Sequence, residues 1–280
     1  MRFQLLMVGG RWGAALTAVA LLCAPADPRL LAQDGGEDAL RLAITTSTRD
    51  TGLMDLLAPA FEERSGIRLW IVAVGSGEAL RLGRDGAVDL VLVHAPAAEQ
   101  RFVAEGWGSR RHPVMYNHFV LLGPPRENAV PRGEVRPLLR ALAAAGRTFV
   151  SRGDSSGTHT KEQALWRHAG IEPGGDWYLE AGQGMAATLL LADQKRAFTL
   201  CDYGTYLALR DKIDLIAYTG EEAVLHNPYH AIMVNPERHP HVRVQAAMRF
   251  IEFLTGEAGQ RIIGELRADT QPLFRPLPFP

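Results

Sequence analysis

Residues 148–166 read TFVSRGDSSGTHTKEQALW, a short apolar strand that runs through hydroxyls, glycines and one arginine into a helix. Thr148-Phe149-Val150 is the strand, Ser151 to Thr158 the junction, and Lys161 to Ala169 the helical pattern. The first N–H groups of a helix have no partner inside it, and the aligned peptide dipoles add partial positive charge there. A junction of this kind can cradle an anion. Gly153 and Gly157 let backbone approach a ligand, the hydroxyls add donors, and Arg152 offers a planar fork of N–H groups. The same residues also suit an ordinary capped helix beside a solvated arginine, so this stretch alone leaves both readings open.

Outward from that stretch, strands and helices alternate from Leu40 onward. Leu40, Leu42 and Ile44 alternate with polar or small residues and run into Thr45-Thr46-Ser47-Thr48. Leu53, Leu57, Ala60 and Phe61 share a helical face, which Pro59 is expected to kink or split. Leu69 to Val74 is a continuous apolar run ending in Gly75-Ser76-Gly77, with a short helical piece over 78–82. Leu90 to Val93 suits another buried strand. Further strands are expected at 115–122, 197–200, 213–218 and 231–234, with a late amphipathic helix marked by Val244, Met248, Ile251 and Phe253. This order predicts an α/β protein with a mainly parallel sheet. Three strand ends, at 45–48, 75–77 and 151–158, therefore open helices through hydroxyls or glycines. In α/β sheets that is where ligands sit.

Composition narrows the function. The chain has 280 residues, is 47% hydrophobic and carries a formal net charge of −1, enough apolar matter for one large domain or two lobes. No basic block stands out to hold a phosphate backbone, which argues against nucleic acid as partner. Residues 1–32 read as a secretory signal peptide: Arg2 and Arg11 flank the start, and Trp12 to Cys23 is an apolar run too short for a comfortable membrane span. Ala24-Pro25-Ala26 and Leu31-Ala32 are the cleavage candidates, and a retained anchor is the alternative. Leu22 stands before Cys23 where a lipoprotein site wants a small residue. Cleavage after Ala32 leaves 27 basic against 30 acidic residues and Cys201 as the single cysteine, so no intramolecular disulfide can form. A soluble monomer is expected.

At this point the motifs resemble those of a known family. Residues 44–52 (ITTSTRDTG), 72–77 (VAVGSG), 92–96 (LVHAP), 114–117 (VMYN), 151–159 (SRGDSSGTH) and 182–185 (GQGM) are similar to phrases of the solute-binding proteins of tungstate ABC importers. The likeness runs from about Leu40 to Phe274. It implies a two-lobed type II periplasmic binding protein fold, with each lobe a mainly parallel sheet flanked by helices and the ligand in the cleft. Residues 40–114 and 229–280 would form lobe one with the C-terminal tail, and 115–228 lobe two, each lobe on its own sheet. The crossovers would lie near Met115 and Pro228. The family's ligand groups fall on the stretch Thr45, Thr46 and Ser47, and on Ser76, Arg152 and Thr158. The implied ligand is tungstate, with molybdate or another oxoanion the alternative. No cofactor is implied, and the partners would be the membrane permease and ATPase of an importer outside the cytoplasm. Ile44, Ser76, His118 and Ala186 depart from the family pattern, Ile44 in place of a threonine, and none of them removes a ligand donor that the resemblance implies.

A dianion with only acceptor oxygens needs donors and no carboxylate aimed at it, so Asp154 is expected to face the loop backbone or a basic group. Two other classes fit less well. Gly153-Asp154-Ser155-Ser156-Gly157 has the look of a serine-protease nucleophile motif, but that motif belongs to a double β-barrel. His226 and His230 have i,i+4 spacing, but Asn227-Pro228 between them argues against a helical metal site. His94 reads as a satisfied structural histidine.

Overall fold

The computed structural model describes residues 39–154, 156–268 and 270–277, so the expected signal peptide at 1–32 lies outside the described residues. In chain order the elements begin with β1 (Ala39–Thr45), α1 (Thr46–Asp50), α2 (Leu53–Ser65), β2 (Arg68–Val74), α3 (Ser76–Arg84), β3 (Leu90–Val93) and α4 (Pro96–Ala104). The middle of the chain holds β4 (Gly108–Gly123), α5 (Val135–Ala144), β5 (Phe149–Ser151), α6 (Gly157–Ala169), β6 (Tyr178–Glu180), α7 (Met185–Gln194), β7 (Thr199–Asp202), α8 (Tyr203–Leu209) and β8 (Ile216–Ala217). It closes with β9 (His226–Val234), α9 (Val244–Thr255), α10 (Glu257–Glu265) and three two-residue strands, β10 (Arg267–Ala268), β11 (Gln271–Pro272) and β12 (Arg275–Pro276).

Strand β1 is buried along its whole length because it lies between β2 and β3, parallel to both. Its alternation sorts two cores. Leu40, Leu42 and Ile44 face Leu57, Phe61, Phe250 and Leu254 of α2 and α9, whereas Ala43 faces Ala79, Leu82 and Phe102 of α3 and α4. The last half of β4 repeats the pattern in the other lobe. Phe119 and Leu121 pack with Leu138, Leu142 and Trp166, while Val120 and Leu122 pack with Met185, Leu189 and Leu215. Each buried leucine or phenylalanine contributes ~1.5–3 kcal/mol by leaving water, so four such clusters hold the fold without a cross-link. The thiol of Cys201 is free and buried.

Two expectations need correction. The main sheets are joined: β4 is a 16-residue strand that pairs over Gly108–His118 with β9 and over Phe119–Gly123 with β7 and β8, while β5 and β6 form a two-stranded sheet of their own. The run of β4 is interrupted by register shifts between Gly108 and Arg111 and between Pro113 and Met115, and one curled mixed sheet of eight strands results. Nor does Pro59 split its helix, since α2 is continuous from Leu53 to Ser65. Pro59 and Asp55 are both exposed, so the carbonyl that loses its partner faces water, while Leu53, Leu57 and Phe61 clamp the inner face. In the late helix the burial falls on Ala247, Phe250, Ile251 and Leu254, and Met248 is exposed. Among the described residues no helix is long and apolar enough to cross a membrane.

Candidate functional site

Helix α6 begins four residues earlier than its apolar pattern suggests, at Gly157, because Ser156 caps it by accepting from the His159 N–H at 3.2 Å. That places Thr158 in the first turn. Ser76 is likewise the first residue of α3, whose N-cap, Gly75, makes no side-chain cap bond. Gly184 precedes α7 in the same uncapped way. Three helices of nine to thirteen residues thus present N-termini that carry unspent N–H groups.

These ends meet across the lobes. A Cβ built on Gly157 would stand 2.9 Å from the His94 carbonyl oxygen and 3.0 Å from Ser76 Oγ, so only glycine permits this approach. A Cβ on Gly75 would stand 3.9 Å from that of Ser156, and one on Gly184 would stand 3.9 Å from Thr46 Oγ1. The start of α3 therefore faces that of α6, and the start of α1 faces that of α7.

Four buried side-chain atoms among the described residues have no hydrogen-bond partner: Thr46 Oγ1, Ser76 Oγ, Arg152 Nε and Thr158 Oγ1. An unsatisfied buried polar group costs ~1–3 kcal/mol, so these four, three hydroxyls in first helical turns and Arg152 in the loop before α6, point to a ligand that would satisfy them. All four belong to the six residues that the sequence motifs single out. The other two, Thr45 and Ser47, have partners. Thr45 Oγ1 lies 3.0 Å from Ser47 Oγ and 2.8 Å from Thr48 Oγ1, and Ser47 Oγ lies 3.3 Å from His94 Nε2.

Electrostatics favour an anion held by few charges. Arg152 is 3% exposed and pairs through Nη2 with Asp154, which also accepts from the Ser156 N–H at 3.1 Å. Asp154 is thus turned to a basic group and to the loop backbone, as an anion site requires. Behind this loop Glu162 is buried and accepts from the Tyr178 hydroxyl at 2.7 Å and Trp166 Nε1 at 3.3 Å. Burial pushes its carboxyl up to about 7, so near neutral pH it carries only part of the charge of a surface glutamate. His94 is buried, stacked on Tyr229 at 4.6 Å, and burial pushes its pKa down. A surface groove of about 580 Å³ bordered by Phe61, Arg64, Arg249 and Arg261 lies apart from these residues.

His226 and His230 sit on a strand, and no three His, Cys, Asp or Glu side chains among the described residues could hold a metal ion. Ser156 is spent as a cap, and Ser155 lies outside the described residues.

Comparison with known proteins agrees with this geometry. Residues 32–258 match the family model described as a PBP superfamily domain. The tungstate-binding protein TupA of Peptoclostridium acidaminophilum is 42% identical over 241 residues, covering 84% of this chain and 84% of that protein. A solved structure described as the tungstate ABC transporter from Geobacter sulfurreducens shares 46% identity, with a TM-score of 0.75 over 81% of this chain and 98% of its own. The chain belongs to the PBP superfamily. A second superfamily structure, the tungstate-binding protein TupA from Desulfovibrio alaskensis G20, is 41% identical with a TM-score of 0.74, covering 85% of this chain and 98% of that one. The two TupA relatives are binding proteins by name.

Proposed function

We propose that this chain is the extracytoplasmic solute-binding component of an ABC importer, and that its ligand is a tetrahedral oxodianion, tungstate. The observation that carries this reading is the set of four unpartnered buried atoms, Thr46 Oγ1, Ser76 Oγ, Arg152 Nε and Thr158 Oγ1. Three hydroxyls and one guanidinium N–H, with backbone N–H groups of α3, α6 and α7 beside them, can surround four acceptor oxygens. Arg152 offsets part of the charge, and Asp154 is kept away by its own partners. The lobes would comprise 40–114 with 229–280, and 115–228, and would part and close along β4 and β9, where Tyr116 pairs with Pro228. Closure would bury the anion and give the permease one shape to recognise. The leader at 1–32 would export the chain, and the mature protein would act as a monomer with permease and ATPase partners.

Competition calorimetry on the protein lacking residues 1–32 tests this. Tungstate is expected to bind one to one, molybdate to displace it from the same site, and sulfate and phosphate to displace neither at equal concentration. Molybdate binding that leaves tungstate unbound would move the ligand assignment to molybdate. Absence of heat with all four anions, from a folded sample, would reject an oxoanion site altogether.

A further inference from the structure

One row of hydrogen bonds runs from the C-terminal segment to the first turn of α1, and its polarity is fixed at one end. The Leu273 carbonyl is acceptor only, so Asn117 must turn its Nδ2 toward it, at 3.5 Å. Asn117 Oδ1 then accepts from Asn227 Nδ2 at 2.8 Å, which leaves Asn227 Oδ1 to face His94 Nδ1 at 2.9 Å. An amide oxygen cannot donate, so Nδ1 must carry the proton. Burial disfavours the doubly protonated ring, and Nε2 is then a bare lone pair whose partner is Ser47 Oγ at 3.3 Å. The serine must donate to it. Ser47 Oγ in turn can accept from Thr45 Oγ1 at 3.0 Å, and Thr45 Oγ1 from Thr48 Oγ1 at 2.8 Å and the Thr48 N–H at 3.3 Å. Every hydroxyl proton of Thr48, Thr45 and Ser47 is spent along this row.

We propose that His94 is a positioning residue: held by Asn227 as an Nδ1 donor, it takes the Ser47 proton on Nε2 and draws the Thr48–Thr45–Ser47 hydroxyl row away from the cleft. Thr46, whose Oγ1 has no partner, is then the hydroxyl of this turn that donates to the oxoanion. This rests on the oxoanion reading above and adds to it which hydroxyl binds and what holds it in place. The residues come from 47, 94, 117, 227 and 273, so the site in the first lobe is tied to paired positions of β4 and β9 and to the C-terminal segment.

Long-range proton–nitrogen spectra of histidine-labelled protein at pH 7.5, without anion, test the polarity directly. The chain has nine histidines, so the ring of His94 is assigned by its loss in His94→Asn. Its neutral Nδ1–H tautomer is the expected result, and an Nε2–H or doubly protonated ring overturns the proposal whether or not tungstate binds. The second arm is a double-mutant cycle on tungstate affinity. His94→Asn keeps a donor for Asn227 and removes the acceptor for Ser47. It and Ser47→Ala should each weaken binding roughly five- to tenfold, the size of one hydrogen bond. The double variant should lose no more than either single one, and Thr46→Ala should lose more than Ser47→Ala. Additive losses, or a larger loss at Ser47 than at Thr46, would show that Ser47 touches the anion itself. Failure of the unsubstituted protein to bind tungstate, molybdate, sulfate or phosphate would reject the oxoanion reading while leaving the tautomer result standing.

Discussion

Arg152→Ala is expected to weaken tungstate binding by about two or more powers of ten. Arg152 is the charged donor among the four unpartnered groups, and hydrogen bonds to charged groups are worth ~1.5–3 kcal/mol against ~0.5–1.5 for neutral ones. At ~1.4 kcal/mol per tenfold that alone gives about tenfold to a hundredfold. Its removal does further harm, because Asp154 loses its guanidinium partner and stands as an uncompensated carboxylate beside an incoming dianion. Arg152→Lys should recover only part of the loss, since a point charge cannot reproduce the planar fork. Arg152→Ala with Asp154→Asn should bind better than Arg152→Ala alone. Arg49→Ala is the control, because Arg49 is exposed and pairs with its neighbour Asp50. Calorimetry reads the affinities, and thermal unfolding without anion checks the fold. Binding within about threefold of the unsubstituted protein would mean that Arg152 is not a ligand.

Gly157→Ala is expected to weaken binding by about ten- to a hundredfold through the approach of the lobes rather than through a lost donor. The added methyl would sit 2.9 Å from the His94 carbonyl oxygen, a backbone atom that cannot swing aside, and 3.0 Å from Ser76 Oγ. Relieving both contacts requires the second lobe to back away by a few tenths of an ångström. Overpacking of this kind costs ~1–3 kcal/mol, and here it falls on the arrangement that holds the anion. The stability of each lobe should change little, because the clash lies between them. Gly174→Ala, where nothing lies within 4 Å of the added carbon, should bind normally. Unchanged affinity in Gly157→Ala would show that binding does not need the lobes this close.

Much of the site is legible in the sequence because strand-to-helix junctions are local. Ser76 and Thr158 fall in first helical turns for the reason the motif suggests, a cap or a glycine followed by a hydroxyl. Arg152 and Asp154 are two residues apart, so their pairing follows from the loop itself. The distinction between Thr46 and its neighbours is not local. It depends on His94 and Asn227, 133 residues apart, which only the pairing of β4 with β9 and β3 with β9 brings together. The shared sheet escapes a sequence reading for a similar reason. A 16-residue strand with two register shifts looks from its pattern like a strand over 115–122 preceded by loop, since Arg110 to Pro113 break the apolar run. At Pro59 only the split is ruled out, because one-sided packing and a solvated carbonyl let the helix run on.

Anomalous diffraction at the tungsten edge, from crystals of the protein lacking residues 1–32 grown with tungstate, locates the metal without prior assumptions. One peak is expected for each chain, between the lobes, with the oxygens around it within hydrogen-bond reach of Thr46 Oγ1, Ser76 Oγ, Arg152 Nε and Thr158 Oγ1. A peak anywhere else, or one at the cleft that leaves these four atoms without partners, would contradict the assignment of the site.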